Sequence, residues 1–195
     1  MIRLRYGNTN TFFIPGAGKG LLVDTDYAGT LPGFFRAIKK AGIGVPDIGH
    51  LLVTHWHPDH CGLAGELQRL GIRLILPDVQ TDYLRFPDAI FERDGIRGYI
   101  PADISKADVI SCSGSREYLA GIGIAGEIVH TPSHSADSVS LMTDGGCCFA
   151  GDLEPMGYIS GYDGNAALEA DWETVMSFRP KTILFAHANE KTLTL

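Results

Sequence analysis

Apolar residues recur in two rhythms along the 195-residue chain. Ile2-Arg3-Leu4-Arg5-Tyr6 alternates with period two, and residues 11–14 and 21–23 follow as short apolar runs, so residues 2–24 read as β-rich. The segment Pro15-Gly16-Ala17-Gly18-Lys19-Gly20 between those runs reads as a hairpin turn. Its glycine spacing is not that of a phosphate loop, and no Ser or Thr follows the lysine. Leu31, Phe34, Phe35, Ile38 and Ala41 then fall on one face of a helix that Gly42 stops. Residues 48–53 predict a buried strand. Pro58 predicts a helix start with Leu63, Leu67 and Leu70 on its inner face, and residues 72–76 predict a short strand. Residues 77–107 are polar and aromatic, which predicts short helices and loops. Strands are expected at 109–110, 127–129, 138–142 and 147–150, the last two joined by an Asp144-Gly145-Gly146 turn. Asn165 is placed to cap a helix with Leu168, Trp172, Val175 and Met176 inward, and residues 182–186 predict a last buried strand. Runs of strands with helices between them predict a layered α/β fold. No linker or repeat interrupts residues 1–195, so one domain is expected.

Composition narrows the class. A hydrophobic content of 45% excludes intrinsic disorder. Sixteen Lys and Arg stand against 23 Asp and Glu, a formal charge of −7, and the densest basic spot is Lys39-Lys40 in a helical pattern. Nucleic-acid binding needs a basic stripe, so no nucleic-acid partner is expected. Cys61, Cys112, Cys147 and Cys148 form no Cys-x-x-Cys pair and read as buried reduced thiols. The first seven residues lack the apolar core of a secretory signal, and no apolar run approaches the roughly 18 residues of a membrane span. A cytoplasmic protein with no membrane partner is expected.

The histidines carry the chemistry. Of seven, three fall in His55-Trp56-His57-Pro58-Asp59-His60. Neutral imidazole and carboxylate are the ligands that zinc and iron take. Residues two apart in an extended segment point the same way, so His55 and His57 can reach one metal. Pro58 turns the chain into a helix whose first turn aims Asp59 and His60 elsewhere, so one strand-to-helix junction can serve two adjacent metals. His134 follows the strand at 127–129 through a Thr131-Pro132-Ser133 turn, Asp152 follows residues 147–151, and His187 follows residues 182–186. Four buried strands thus each lead into a metal-ligand residue type, and strand ends are where α/β sites assemble. His130 is expected to make a structural hydrogen bond and His50 to be incidental. Cys61 points about 100° away from its neighbour His60 and reads as a packed thiol. Ser133 and Ser135 lack the Gly-x-Ser-x-Gly elbow of a serine hydrolase.

The His-x-His-x-Asp-His string, Thr131-Pro132-Ser133-His134, Gly151-Asp152 and Ala186-His187, in that order, resemble the metallo-β-lactamase superfamily, and within it the small hydrolases like glyoxalase II. Ser133, Ala186 and Ala188 stand where that family usually has glycine. The resemblance implies an αββα sandwich with two divalent metals, zinc first and iron or manganese as alternatives. It implies His55, His57 and His134 on one metal, Asp59, His60 and His187 on the other, Asp152 between them, and Asp24 supporting the site. The reaction so implied is hydrolysis of a small-molecule ester, thioester or lactone by a metal-bridging hydroxide, with Asp59 also orienting that hydroxide and passing its proton. A phosphodiesterase and a mononuclear iron oxidoreductase of the persulfide dioxygenase type are the competing readings. Flavodiiron proteins of the same superfamily usually carry Glu in place of His57 and a flavodoxin domain, neither of which is present. Tyr27, Phe34, residues 77–107, Met156, Tyr158 and Tyr162 are expected to wall the pocket, an apolar and aromatic set that favours a carbonyl substrate. The sequence leaves the oligomeric state open.

Overall fold

A computed structural model describes residues 1–161 and 165–193; Tyr162 lies outside them. Six strands form the first sheet in sequential order: β1 (Ile2–Arg5), β2 (Asn10–Ile14), β3 (Gly20–Val23), β4 (Ile48–Leu52), β5 (Arg73–Pro77) and β6 (Ala107–Ile110). β1, β2 and β3 form an antiparallel meander, and β3 to β6 run parallel. Parallel neighbours need crossovers. These contain α1 (Leu31–Lys40), then α2 (Pro58–Cys61) with α3 (Ala64–Arg69), then α4 (Phe86–Arg93). After α5 (Ser115–Gly121), the second sheet is built from β7 (Gly126–His130), β8 (Val139–Thr143), β9 (Cys147–Gly151), β10 (Thr182–Phe185) and β11 (Lys191–Thr192), in the order β11-β10-β9-β8-β7. α6 (Ala166–Ser177) is the crossover between the parallel pair β9 and β10.

Strand alternation divides the apolar residues among three cores. Phe12, Leu21, Val23, Leu52 and Ile75 face inward and meet Ile128, Leu141, Phe149 and Leu184 of the other sheet. Their chain neighbours Phe13, Leu22, Leu51 and Leu74 point to the opposite face, where Phe34 and Ile38 of α1 and Leu67 of α3 cover them. Met142, Cys148 and Ile183 face outward from the second sheet against Leu168, Trp172 and Val175 of α6. The result is four layers, the αββα sandwich. Each fully buried Leu, Ile or Phe contributes roughly 1.5–3 kcal/mol before entropy is charged against it.

Several local expectations hold. The Pro15–Gly20 segment closes the β2–β3 hairpin, Pro58 occupies the first turn of α2, and the Asn165 side chain accepts from the Leu168 N–H. Others are corrected. Leu70 is 43% exposed because α3 ends at Arg69, which leaves Leu70 as its C-cap. Phe34 is fully buried in the outer core and does not wall the cavity beside Asp152. Cys61 and Cys148 are buried, but Cys112 and Cys147 are only half-buried, each on the margin of the central core. Neither α5 nor β11 was expected. No helix of the described residues is long and apolar enough to cross a membrane.

Candidate metal centre

One end of the sandwich collects the ligand-type residues. β4 runs through Val53 and Thr54 into His55, and His57 keeps an extended backbone (φ −76°, ψ 148°) as the N-cap of α2, which carries Asp59 and His60. His134 lies in the β7–β8 connection, Asp152 directly follows β9, and His187 comes two residues after β10.

All seven side chains converge. His55 Nε2 lies 2.9 Å from His57 Nδ1, which lies 3.2 Å from His134 Nε2. On the other side, His60 Nε2 is 3.2 Å from His187 Nε2, and His187 Nε2 is 3.1 Å from Asp59 Oδ2. Within each triplet the candidate donor atoms all lie within 4.8 Å of one another. Asp152 stands between the two. Its Oδ2 is 3.3 Å from His60 Nε2, 3.7 Å from His134 Nε2 and 3.9 Å from His55 Nε2, and its Oδ1 is 3.4 Å from His187 Nε2. Metal–nitrogen bonds near 2.0–2.1 Å in tetrahedral geometry set ligand atoms roughly 3.3 Å apart. The donor set therefore fits a cation in each triplet.

The second nitrogen of several rings is held from behind, which fixes the nitrogen that faces the centre. His60 Nδ1 lies 3.1 Å from Asp24 Oδ2, His55 Nδ1 3.2 Å from the Thr54 hydroxyl, and His187 Nδ1 3.3 Å from the Asn8 carbonyl. Asp24 also accepts from the Thr54 N–H at 2.7 Å and the Thr54 hydroxyl at 2.9 Å. Asp24 therefore holds His60 and Thr54 from behind.

Sequence reasoning missed three further braces. Asp137 accepts from the Trp56 N–H at 2.7 Å and from the Ser135 hydroxyl at 2.8 Å, tying the His55–His57 segment to the His134 loop. Gln80 is fully buried; its amide donates to the Val53, Thr54 and Asp137 carbonyls, and its oxygen accepts from Trp56 Nε1. Asn10 donates to the Phe185 and Ala188 carbonyls on either side of His187. Apart from Ser135 and Asp137, these partners lie far apart in sequence, so no local pattern marks them.

The other histidines and Cys61 stay outside the cluster. His130 Nε2 bonds the Ala136 carbonyl at 2.8 Å, Cys61 Sγ donates to the His57 carbonyl at 3.1 Å, and His50 packs edge-on against Tyr118. A cavity of about 280 Å³ opens beside Asp152 and His187, walled by Leu153, Glu154, Pro155, Phe185 and Ala188. Phe86, from the 77–107 segment, flanks His57 with ring centroids 5.7 Å apart. Besides Phe34, three more expected wall residues do not line that cavity. Tyr27 packs on Phe91 and bonds Asp94, Met156 packs toward α6, and Tyr158 is exposed.

The two triplets differ in charge state on the side chains alone. Burial and then the neighbouring imidazoles push His55 far below the ordinary histidine range, and burial with His134 lowers His57. Both are therefore held in the neutral form, the one able to ligate a metal. In the other triplet, burial opposes charge on His60, but Asp24 and Asp152 outweigh it and push the pKa up to about 10. His187 is raised by its hydrogen bond to Asp59, and the same bond brings Asp59 down to about 2. A cation entering this triplet would have to displace the proton that Asp24 and Asp152 favour on His60.

Gly151 sets the approach of Asp152. Its φ is +55°, and a Cβ there would lie 2.6 Å from the Thr54 hydroxyl. Gly151→Ala is expected to destabilise by about 1–3 kcal/mol from overpacking, measured by urea unfolding; an unchanged midpoint would show that Thr54 moves aside freely.

The metallo-beta-lactamase superfamily pattern matches residues 4–187, and the chain belongs to that superfamily. Ribonuclease Z of Streptomyces coelicolor is 32% identical over 90 residues, covering 46% of this chain and 28% of that protein. Hydroxyacylglutathione hydrolase of Bradyrhizobium sp. is 30% identical over 131 residues, covering 67% of this chain and 40% of that protein. The chain thus spans less than half the length of either relative. A solved structure described as TTHA1623 in a di-iron-bound form shares the fold, with a TM-score of 0.72 at 21% identity, covering 98% of this chain and 93% of that one.

Proposed function

We propose that this chain is a dinuclear metal-dependent hydrolase acting on a small-molecule ester, thioester or lactone. The observation that carries the reading is the pair of donor triplets with Asp152 between them. His55, His57 and His134 would hold one ion and Asp59, His60 and His187 the other. Zinc is the first choice, with iron or manganese as alternatives, because nitrogen and oxygen donors select weakly among these metals. Two divalent cations in such a site supply a hydroxide at neutral pH and Lewis-acid polarisation of the scissile carbonyl. The residues of the chain do the rest. Asp152 offers an oxygen to each side and neutralises part of the cationic charge. Asp59 is partly exposed, bonds His187 at 3.1 Å, and is placed to take and release a proton at its Oδ2. Leu153, Pro155 and Phe185 give the acyl side of a substrate an apolar wall.

Similarity to hydroxyacylglutathione hydrolase supports the carbonyl reading, and the shorter match to Ribonuclease Z supports a phosphodiester as the second reading. Metal analysis of protein purified without added metal, followed by an ester, thioester, lactone and phosphodiester panel, tests both. About two ions per chain and carbonyl turnover are expected. One ion after full reconstitution, with oxygen consumed in the presence of a persulfide, would replace the hydrolase with the mononuclear oxidoreductase. Turnover of the phosphodiester alone would select the second reading.

A further inference from the structure

Away from the metal centre, a cationic groove runs between the outer edge of β1 and α1. Two adjoining cavities of about 360 and 200 Å³ share Arg5, Ala37 and Lys40; Arg3 borders the first and Arg36 the second. In sequence these cations are scattered, and the strand–helix packing gathers four of them on a chain of net charge −7. All four are exposed. Among the described residues Arg5, Arg36 and Lys40 have no carboxylate partner, and Arg3 reaches only Glu190, at 4.0 Å.

The groove also has a backbone wall. Among the described residues β1 ends its sheet and pairs only with β2. In an antiparallel pair alternate N–H and C=O groups point away from the partner, so β1 presents an open strand edge to the groove. The cation spacing follows the same edge. Arg3 and Arg5 are two residues apart on a strand, about 6.6 Å, and Arg36 and Lys40 are one helical turn apart, about 6 Å. Both match the two-residue repeat of an extended chain.

We propose that this groove binds an extended acidic peptide segment of another protein, which adds as a strand to the edge of β1 with carboxylates at alternate positions facing Arg3 and Arg5 or Arg36 and Lys40. Charge complementarity selects this occupant over a second copy of the chain. Two copies pairing antiparallel through β1 would set Arg3 and Arg5 of one against those of the other, and like charges directly opposed destabilise a strand pair. The backbone edge favours a peptide over a nucleic acid, which would use the cations and leave the strand's hydrogen-bonding groups unmet.

The test is fluorescence anisotropy of a labelled eight-residue alternating Glu-Thr peptide at about 50 mM salt, where exposed charges are screened least. Binding is expected to weaken about tenfold or more in Arg5→Glu/Lys40→Glu, in the helix-only variant Arg36→Glu/Lys40→Glu, and when alternate peptide nitrogens of the ligand are methylated. Circular dichroism establishes that each variant is folded, and the helix-only variant keeps the comparison if changes on β1 disturb the strand. No binding to the unaltered protein would overturn the proposal. Unchanged binding by the folded variants would overturn the placement, and unchanged binding of the methylated peptide would overturn strand addition. Displacement of the peptide by an oligothymidylate that itself binds more tightly would replace the peptide with a nucleic acid. Self-association abolished by Arg5→Glu/Lys40→Glu would replace it with a second copy.

Discussion

On the dinuclear hydrolase reading proposed above, Asp152→Asn is expected to yield a folded protein that keeps about one metal ion per chain and loses most of the turnover of the unaltered protein, a loss of several kcal/mol of charge stabilisation. In the structure the two Asp152 oxygens face both triplets, Oδ2 at 3.3 Å from His60 and 3.7 Å from His134 and Oδ1 at 3.4 Å from His187, which a single imidazole cannot match. Asparagine keeps the shape but removes the negative charge that offsets two dications in a small space. The ion beside Asp59, His60 and His187 should leave first. Asp24 and Asp152 favour the protonated form of His60, so a cation there would compete with a proton, whereas burial disfavours charge on His55 and His57. Metal content after desalting, read beside circular dichroism and turnover, checks the prediction. Full metal content with near-normal turnover would remove Asp152 from its place between the ions.

The convergence of the candidate site was legible because metal-ligand residue types sit in short strings and at the ends of apolar strands. His55, His57, Asp59 and His60 are contiguous, and His134, Asp152 and His187 each follow a run that reads as a strand without any tertiary knowledge. The buried braces were not legible. Gln80 bonds residues 26, 27 and 57 positions away, and Asn10 bonds residues 175 and 178 positions away, so their roles exist only after the sheets stack. The same limit governs the walls. The helical pattern placed Phe34 inward, yet it could not say that α1 lies over the first sheet rather than over the site. Lys39-Lys40 was visible as a basic spot, but the groove needs Arg3 and Arg5 from a strand that packs beside α1. Local periodicity reports which face of an element is buried; it does not report what that face is buried against.

Asp24 shows how a buried group holds the candidate centre in place, and Asp24→Ala is expected to destabilise the metal-free protein by about 3–5 kcal/mol, the scale of breaking a buried ion pair. Asp24 is buried, its φ of +60° lies in the left-handed region, and it accepts from the Thr54 N–H, the Thr54 hydroxyl and His60 Nδ1. Alanine strands all three donors and has no side-chain acceptor to compensate the backbone conformation, which costs a non-glycine residue about 1–2 kcal/mol. Asp24→Asn, which tolerates that conformation and can still accept from Thr54, should lose less. Unfolding in urea with chelator present keeps metal affinity out of the comparison. The pH dependence has a definite sign. His60 has its pKa raised in the folded protein, from the ordinary 6.5 up to about 10, so its pairing with Asp24 stabilises fully below about 6.5 and is lost as pH rises through about 10. The penalty of Asp24→Ala should therefore be largest in mildly acidic buffer and shrink toward pH 10. An equal penalty across that window would assign the cost to the Thr54 bonds and the backbone alone, and a loss below about 1 kcal/mol at every pH would show that neighbouring groups replace Asp24 as the acceptor behind His60.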